Sequence, residues 1–242
     1  MHESNKPKAS PSIGAIAEAG DQDSKAPLVL VCGPWGSGTS AVAGMLANAG
    51  LWAPGPHIQL KDPRTTQTYE MRAFRDLLMR FVSELTFEQM MKSDDIVQEL
   101  THFRDAVLAE ARARDGVSAN QLLLLKHALP AFLLPELDQV FDLKVVCVVR
   151  PLDAIEKTRL RRKWHVNSGE FGAKKIYGKL FDYMTNSETP FHFVRYADVL
   201  NRPEAVLAQF GSFLGFSLDD SAIERAKAFV GKPVINKKNN NR

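Results

Sequence analysis

The residues with the clearest chemical reading are glycines and small hydroxyls. The segment Val31-Cys-Gly33-Pro-Trp35-Gly36-Ser37-Gly38-Thr39-Ser40 follows the apolar run Leu28-Val29-Leu30 and leads at once into a stretch of small residues, 40–50. A strand that passes through a glycine-rich turn into a helix points backbone N–H groups and a positive helix end at one spot, which is how proteins hold a phosphate. The spacing Gly33-x4-Gly38-x-Ser40 is that of a triphosphate-binding loop, except that Thr39 stands where the lysine belongs. Without that cation the loop suits a nucleotide with one 5′-phosphate group, held by amides and hydroxyls. A second set of residues carries the same kind of chemistry. The apolar run 145–149 ends in Arg150-Pro151, and Thr158 follows eight residues after Arg150, about two helical turns on. A guanidinium fork and a hydroxyl at that separation can grip a single phosphate together.

These two motifs, in this order, resemble those of the sulfotransferases that use 3′-phosphoadenosine-5′-phosphosulfate (PAPS). Ser37-Gly38-Thr39-Ser40 is similar to the family's 5′-phosphosulfate loop, and Arg150 with Thr158 to the arginine and serine that bind the donor's 3′-phosphate. The segment Phe191-His-Phe-Val-Arg-Tyr196-Ala-Asp-Val-Leu200, with Phe213-Leu-Gly-Phe216 behind it, resembles the family's Tyr-Glu-Asp-Leu segment and its Phe-Leu-Gly ending. The resemblance runs from about residue 28 to 230. It implies a P-loop-like α/β fold, PAPS as donor, 3′-phosphoadenosine-5′-phosphate (PAP) as product, and transfer of a sulfuryl group to an acceptor hydroxyl. It also implies that residues 37–40 hold the phosphosulfate, that Tyr196 reaches the adenine or supports the fold, and that Trp35 caps the nucleotide or packs in its turn. The main departure is Gly36, where the family usually carries a lysine or arginine that contacts the transferring group. Its absence either shifts that duty to another cation or weakens catalysis.

Sulfuryl transfer needs in-line placement of donor and acceptor, a cation near the leaving phosphate and a base for the acceptor hydroxyl. Lys126, at the end of a second apolar run (122–125), is the expected cation. Three residues are candidates for the base. His127 adjoins Lys126, one place before the position of the catalytic histidine in cytosolic family members, which is Ala128 here. His57 follows the first helix by a short loop. Glu70, read as the start of an amphipathic helix, matches a glutamate of carbohydrate-type members, although a charge favoured by the helix dipole is its plainer reading. His57 and His127 rank ahead of Glu70. No metal is called for, because the six histidines lack zinc-ligand spacing. Lys232, Lys237 and Lys238 read as a solvated tail rather than the family's basic C-terminal loop.

Two other readings compete. A P-loop kinase of a small metabolite is opposed by Thr39 at the lysine position and by Arg150 where a metal-binding aspartate would end the strand. A non-catalytic PAP-binding protein is kept open by Gly36. The stretch 36–41 also fits a dinucleotide fingerprint, but no strand ending in an acidic residue follows at the required distance.

The elements that must position these residues are legible from periodicity. Four apolar runs (28–32, 122–125, 144–149 and 191–195) alternate with helical patterns at 39–49, 71–85, 96–114, 132–141, 152–162, 171–184, 204–214 and 218–230. Such alternation predicts one domain, residues 27–233, built as a three-layer sandwich with a central parallel sheet between helices, after a flexible leader (1–26) and before a polar tail (234–242). At 242 residues and 45% apolar content the chain can bury one large core. A net charge of +3 from 31 basic and 28 acidic residues suits an anionic donor, and no basic run interleaved with aromatics points to nucleic acid. Cys32 and Cys147 fall within buried strands, which favours a reducing compartment over a disulfide. No membrane-spanning run and no signal-peptide core are present, so a cytoplasmic enzyme is expected. The acceptor, a carbohydrate or small natural product, is expected between the connections 50–70 and 162–171.

Overall fold

Alternate residues of the two central strands enter opposite halves of the core. A computed structural model describes residues 25–60, 62, 65, 67–113 and 122–231. Its sheet contains β1 (Ala26–Cys32), β2 (Leu123–Lys126), β3 (Phe141–Val149) and β4 (Phe191–Arg195), all parallel, in the order β2-β1-β3-β4. Leu28, Leu30 and Cys32 of β1 and Leu143, Val145 and Cys147 of β3 pack into one apolar cluster. Val29 and Val31, with Val146 and Val148, pack into the other. The period of two along a strand buried on both faces thus yields two cores from one sheet. Burial pushes both thiols up, that of Cys32 to about 12, so both are neutral core residues.

Helices cover each face. Helix α2 (Arg72–Phe81), α3 (Ser93–Ala113), α4 (Leu134–Val140) and α6 (Glu170–Thr185) contribute to the first cluster through Phe74, Leu78, Phe81, Ile96, Leu100, Leu137 and Ile176. Helix α1 (Thr39–Asn48), α7 (Tyr196–Asn201), α8 (Pro203–Leu214) and α9 (Asp220–Val230) contribute to the second through Val42, Met45, Val199, Phe210 and Ala226. Helix α5 (Leu152–Arg162) starts just beyond β3 and buries Ile155. Successive strands leave β1 on both sides, so the crevice beyond the carboxyl ends of the strands is the expected ligand site of such a sheet. No helix of the described residues is long and apolar enough to cross a membrane.

The fold follows the sequence reading with local differences. The 132–141 pattern divides into a 3-10 turn (Leu129–Phe132) and α4, and Phe141 already belongs to β3. The segment after β4, read without a helix of its own, forms α7. Helix α2 begins at Arg72, so Glu70 stands ahead of the helix instead of starting it. Residues 1–24, 114–121 and 232–242, including Lys232, Lys237 and Lys238, lie outside the described residues.

Candidate active site

The phosphate loop leaves four amides free. Arg150 donates from its Nη1 to the carbonyl of Gly36 in the loop (2.7 Å). The N–H groups of Gly36, Gly38, Thr39 and Ser40 have no hydrogen-bond partner among the described residues, as the first turn of a helix requires. Gly38 takes φ +105°, and a Cβ there would lie 2.1 Å from Cδ2 of Tyr196. Glycine is needed at that position both for the left-handed backbone and for the ring that rests on it. Gly36 is also left-handed (φ +82°), and a Cβ there would meet the Thr158 methyl at 3.2 Å. Ser37 faces inward. Its N–H donates to the Pro34 carbonyl (3.0 Å), and its Oγ is wholly buried with no partner.

Arg150 organises this end of the site. Its Nη1 also meets Thr158 Oγ1 at 3.2 Å, and its guanidinium carbon stands 5.0 Å from the centre of the Tyr196 ring. The Thr158 hydroxyl itself donates to the Ala154 carbonyl (3.0 Å) one turn back. The Arg150 backbone is held from below. Its N–H donates to the Tyr177 hydroxyl (3.0 Å), which donates in turn to the Val148 carbonyl (3.1 Å), and burial raises that phenol above its ordinary range.

The opposite wall comes from the 58–70 loop. Its ends are tied by the Ile58 N–H to the Glu70 carbonyl (2.8 Å), by Thr68 Oγ1 to the Ile58 carbonyl (2.5 Å) and by the Arg72 N–H to the Pro56 carbonyl (2.9 Å). Tyr69 adopts a left-handed φ of +58° and packs against Phe229 and His57, while Glu70 turns to the crevice. There the Glu70 carboxylate accepts from Lys126 Nζ at 2.6 Å, with side-chain exposures of 13% and 6%. Burial raises the Glu70 carboxyl, but the Lys126 ammonium outweighs it and holds the group below its ordinary range. His127 is buried beside the pair. Desolvation lowers its imidazole to about 4, so the ring is neutral, and its Nδ1 accepts the Leu129 N–H (3.2 Å). Its ring meets Trp35 edge-on at 6.0 Å, and Trp35 in turn stacks on Phe87 (6.3 Å).

These pieces open on one cavity of about 850 Å³. Of the residues expected from sequence, Trp35, Gly36, Gly38, Thr39, Ser40, Arg150, Thr158, Tyr196, Lys126, His127 and Glu70 line it. Ser37 lies beneath the loop, and His57 stands outside the cavity wall, with its Nδ1 accepting from Gln67 Nε2 (2.8 Å) and its Nε2 buried without a partner. Burial lowers the His57 imidazole as well.

The model of the sulfotransferase family matches residues 27–220. The chain belongs to the sulfotransferase family. Members of this family use PAPS, so the chain is a transferase with PAPS as the implied donor. Solved structures agree on the fold. The sulfotransferase domain of the Synechococcus PCC 7002 olefin synthase aligns with a TM-score of 0.52 at 18% identity, covering 87% of this chain and 83% of that one. Sulfotransferase STF1 from Mycobacterium tuberculosis H37Rv aligns at 0.50 and 16% identity, covering 85% and 72%. The sulfotransferase domain of the curacin biosynthetic pathway aligns at 0.50 and 18% identity, covering 84% and 78%. No curated protein sequence matches the chain.

Several residues that line the cavity carried no motif. Arg75, Glu84 and Asn167 line the cavity, and Asn167 Nδ2 holds the carbonyls of Glu84 (2.9 Å) and Leu85 (2.6 Å). One signal was available for Arg75. Two arginines and no acid occupy the first turn of α2, against the helix dipole.

Proposed function

We propose that this sulfotransferase moves the sulfuryl group of PAPS to a hydroxyl of a carbohydrate or small natural product. One observation carries the reading: the unpartnered loop amides, the Arg150–Thr158 pair and the Lys126–Glu70 pair all face one cavity. In this scheme Arg150 and Thr158 hold the 3′-phosphate, and Tyr196 lies against the nucleotide. The amides of Gly36, Gly38, Thr39 and Ser40, with the hydroxyls of Thr39 and Ser40, receive the 5′-phosphosulfate. Lys126 stabilises the charge that develops on the bridging oxygen.

Glu70 is the base in this scheme. It is ionised, it faces the cavity, and its carboxylate has acceptor capacity beyond the Lys126 contact. His127 offers no free lone pair, because Nδ1 is bonded to the Leu129 N–H and the neutral ring then carries its proton on Nε2. That N–H makes His127 a hydrogen-bond donor in the acceptor chamber. His57 is outside the cavity and takes no part in the chemistry.

Calorimetry with PAP, ATP and NAD tests the donor assignment. PAP binds in preference to ATP and NAD, and Arg150→Ala lowers PAP affinity by about 10- to 100-fold, the size of a lost charge-assisted contact. ATP binding with no preference for PAP would overturn it. Glu70→Gln keeps PAP affinity within about threefold and lowers turnover of labelled PAPS, in an acceptor screen, by about 100-fold or more. A non-catalytic PAP-binding protein is the second reading, favoured by Gly36. It is distinguished by PAP binding with no turnover of any acceptor.

A further inference from the structure

Gly36 has no side chain, and its left-handed backbone lies against Thr158. The sulfuryl group of the donor therefore receives no cation from the loop. Four other cations of the cavity, Lys126, Arg150, Arg161 and Arg162, are engaged. Lys126 is paired with Glu70 at 2.6 Å, and Arg150 is committed to the Gly36 carbonyl and the Tyr196 ring. Arg161 and Arg162 are both paired with Asp62, at 3.1 and 2.7 Å.

Arg75 differs from all of these. It projects from the first turn of α2 into the cavity, with its side chain 33% exposed. Its ion pair is with its own sequence neighbour Asp76, at 3.3 Å, and the Asp76 side chain is 60% exposed. Such a contact at the surface holds a guanidinium weakly. Glu70, His127 and Glu84 line the same cavity as Arg75, so its guanidinium shares that wall with them. Arg72 lines the same cavity but is exposed, whereas Arg75 is partly buried.

We propose that Arg75 is a catalytic residue, the cation that contacts the sulfuryl oxygens of the donor in place of the side chain Gly36 lacks. The inference rests on the sulfotransferase reading above. In the transfer step the acceptor oxygen bonds to sulfur as the bridging sulfur–oxygen bond breaks. The hydroxyl proton passes to Glu70, and the electron pair of the broken bond leaves on the phosphate of PAP. Arg75 exchanges no proton. Its planar fork spans two equatorial oxygens and holds the sulfuryl group in line between the acceptor oxygen and the leaving phosphate while the bonds exchange.

The test compares PAPS with PAP, which differ only by the group Arg75 is assigned to hold, and it requires no acceptor. In Arg75→Ala, PAPS affinity falls about tenfold or more while PAP affinity stays within about threefold. Arg75→Lys retains part of the preference, and Arg80→Ala, whose side chain pairs with Glu99 away from the cavity, leaves both affinities unchanged. An unchanged PAPS-to-PAP ratio in Arg75→Ala, with tight PAP binding, overturns the assignment of Arg75 alone. Equal losses for the two nucleotides assign Arg75 to the fold and overturn it too. Failure of the unsubstituted protein to bind PAP overturns the sulfotransferase reading and the role of Arg75 with it.

Discussion

The two ends of the cavity are built in different ways. At the donor end, the loop after β1 and the start of α5 hang from adjacent strand ends. Their contacts are made by backbone groups, one guanidinium and small hydroxyls. Arg150, just ahead of α5, and Thr158, within it, are eight residues apart, and the long Arg150 side chain spans the distance. At the acceptor end, Glu70 and Lys126 come from segments 56 residues apart and meet as a buried ion pair. Asn167 fastens a turn more than 80 residues away. The donor end is thus a short-range construction on a rigid sheet, whereas the acceptor end depends on how loops and helices pack over it. Damage at the donor end should act mainly on nucleotide affinity, and damage at the acceptor end on folding and turnover together.

The strongest test of that contrast is Lys126→Met. It strands the Glu70 carboxylate in a buried site, and breaking such a pair costs about 3–5 kcal/mol. Denaturant unfolding measures this loss, and turnover falls with it. Arg150→Ala, by comparison, costs little stability beyond the contacts of an exposed crevice. A comparable loss of stability in both variants would erase the distinction.

Acid should act on the acceptor end next. His127 takes up a proton near pH 6.5 when unfolded and near pH 4 when folded, where burial disfavours the charged ring. Between those values the unfolded chain holds the extra proton, so stability falls by about 3 kcal/mol as the pH drops across that window. Glu70 is held below its ordinary value of 4.5, so its contribution is present above about pH 4.5 and is lost as the pH falls further. His127→Gln flattens the unfolding profile between pH 6.5 and 4, and an unchanged slope would remove His127 as its source.

The smallest expected effect lies at the donor end. Gly38→Ala places a methyl group 2.1 Å from the Tyr196 ring on a backbone with φ +105°. The expected loss is about 1–3 kcal/mol. Tyr196→Ala in the same chain recovers the steric share and leaves about 1 kcal/mol of backbone strain. Full recovery in a melting experiment would show that Gly38 serves only the ring.

The legibility of the sequence divides along the same line. The strands could be read because residues 28–32 and 145–149 are continuously apolar, as strands covered on both faces must be. The 36–40 turn and the Arg150–Thr158 contact could be read because loop, helix start and i, i+8 spacing are local patterns. Glu70 was harder. Its helical phase placed it at the start of α2, whereas Tyr69 in a left-handed conformation ends the loop just before it and turns the carboxylate to Lys126. His127 stood beside Lys126 in sequence and ranked high as a base. Only the Leu129 N–H on its Nδ1 shows that its lone pair is taken.

By itself, the sequence determined the parallel sandwich, the phosphate loop without its lysine, the Arg150–Thr158 pair and the family they resemble. All of these rest on periodicity and spacing within about a dozen residues, which the backbone enforces wherever it forms strand or helix. The tertiary structure decided which carboxylate meets Lys126, which histidines reach the cavity, and that Arg75 lines it. Those outcomes depend on contacts between distant segments, and it is the packing of α2 and the 58–70 loop over the strand ends that makes them.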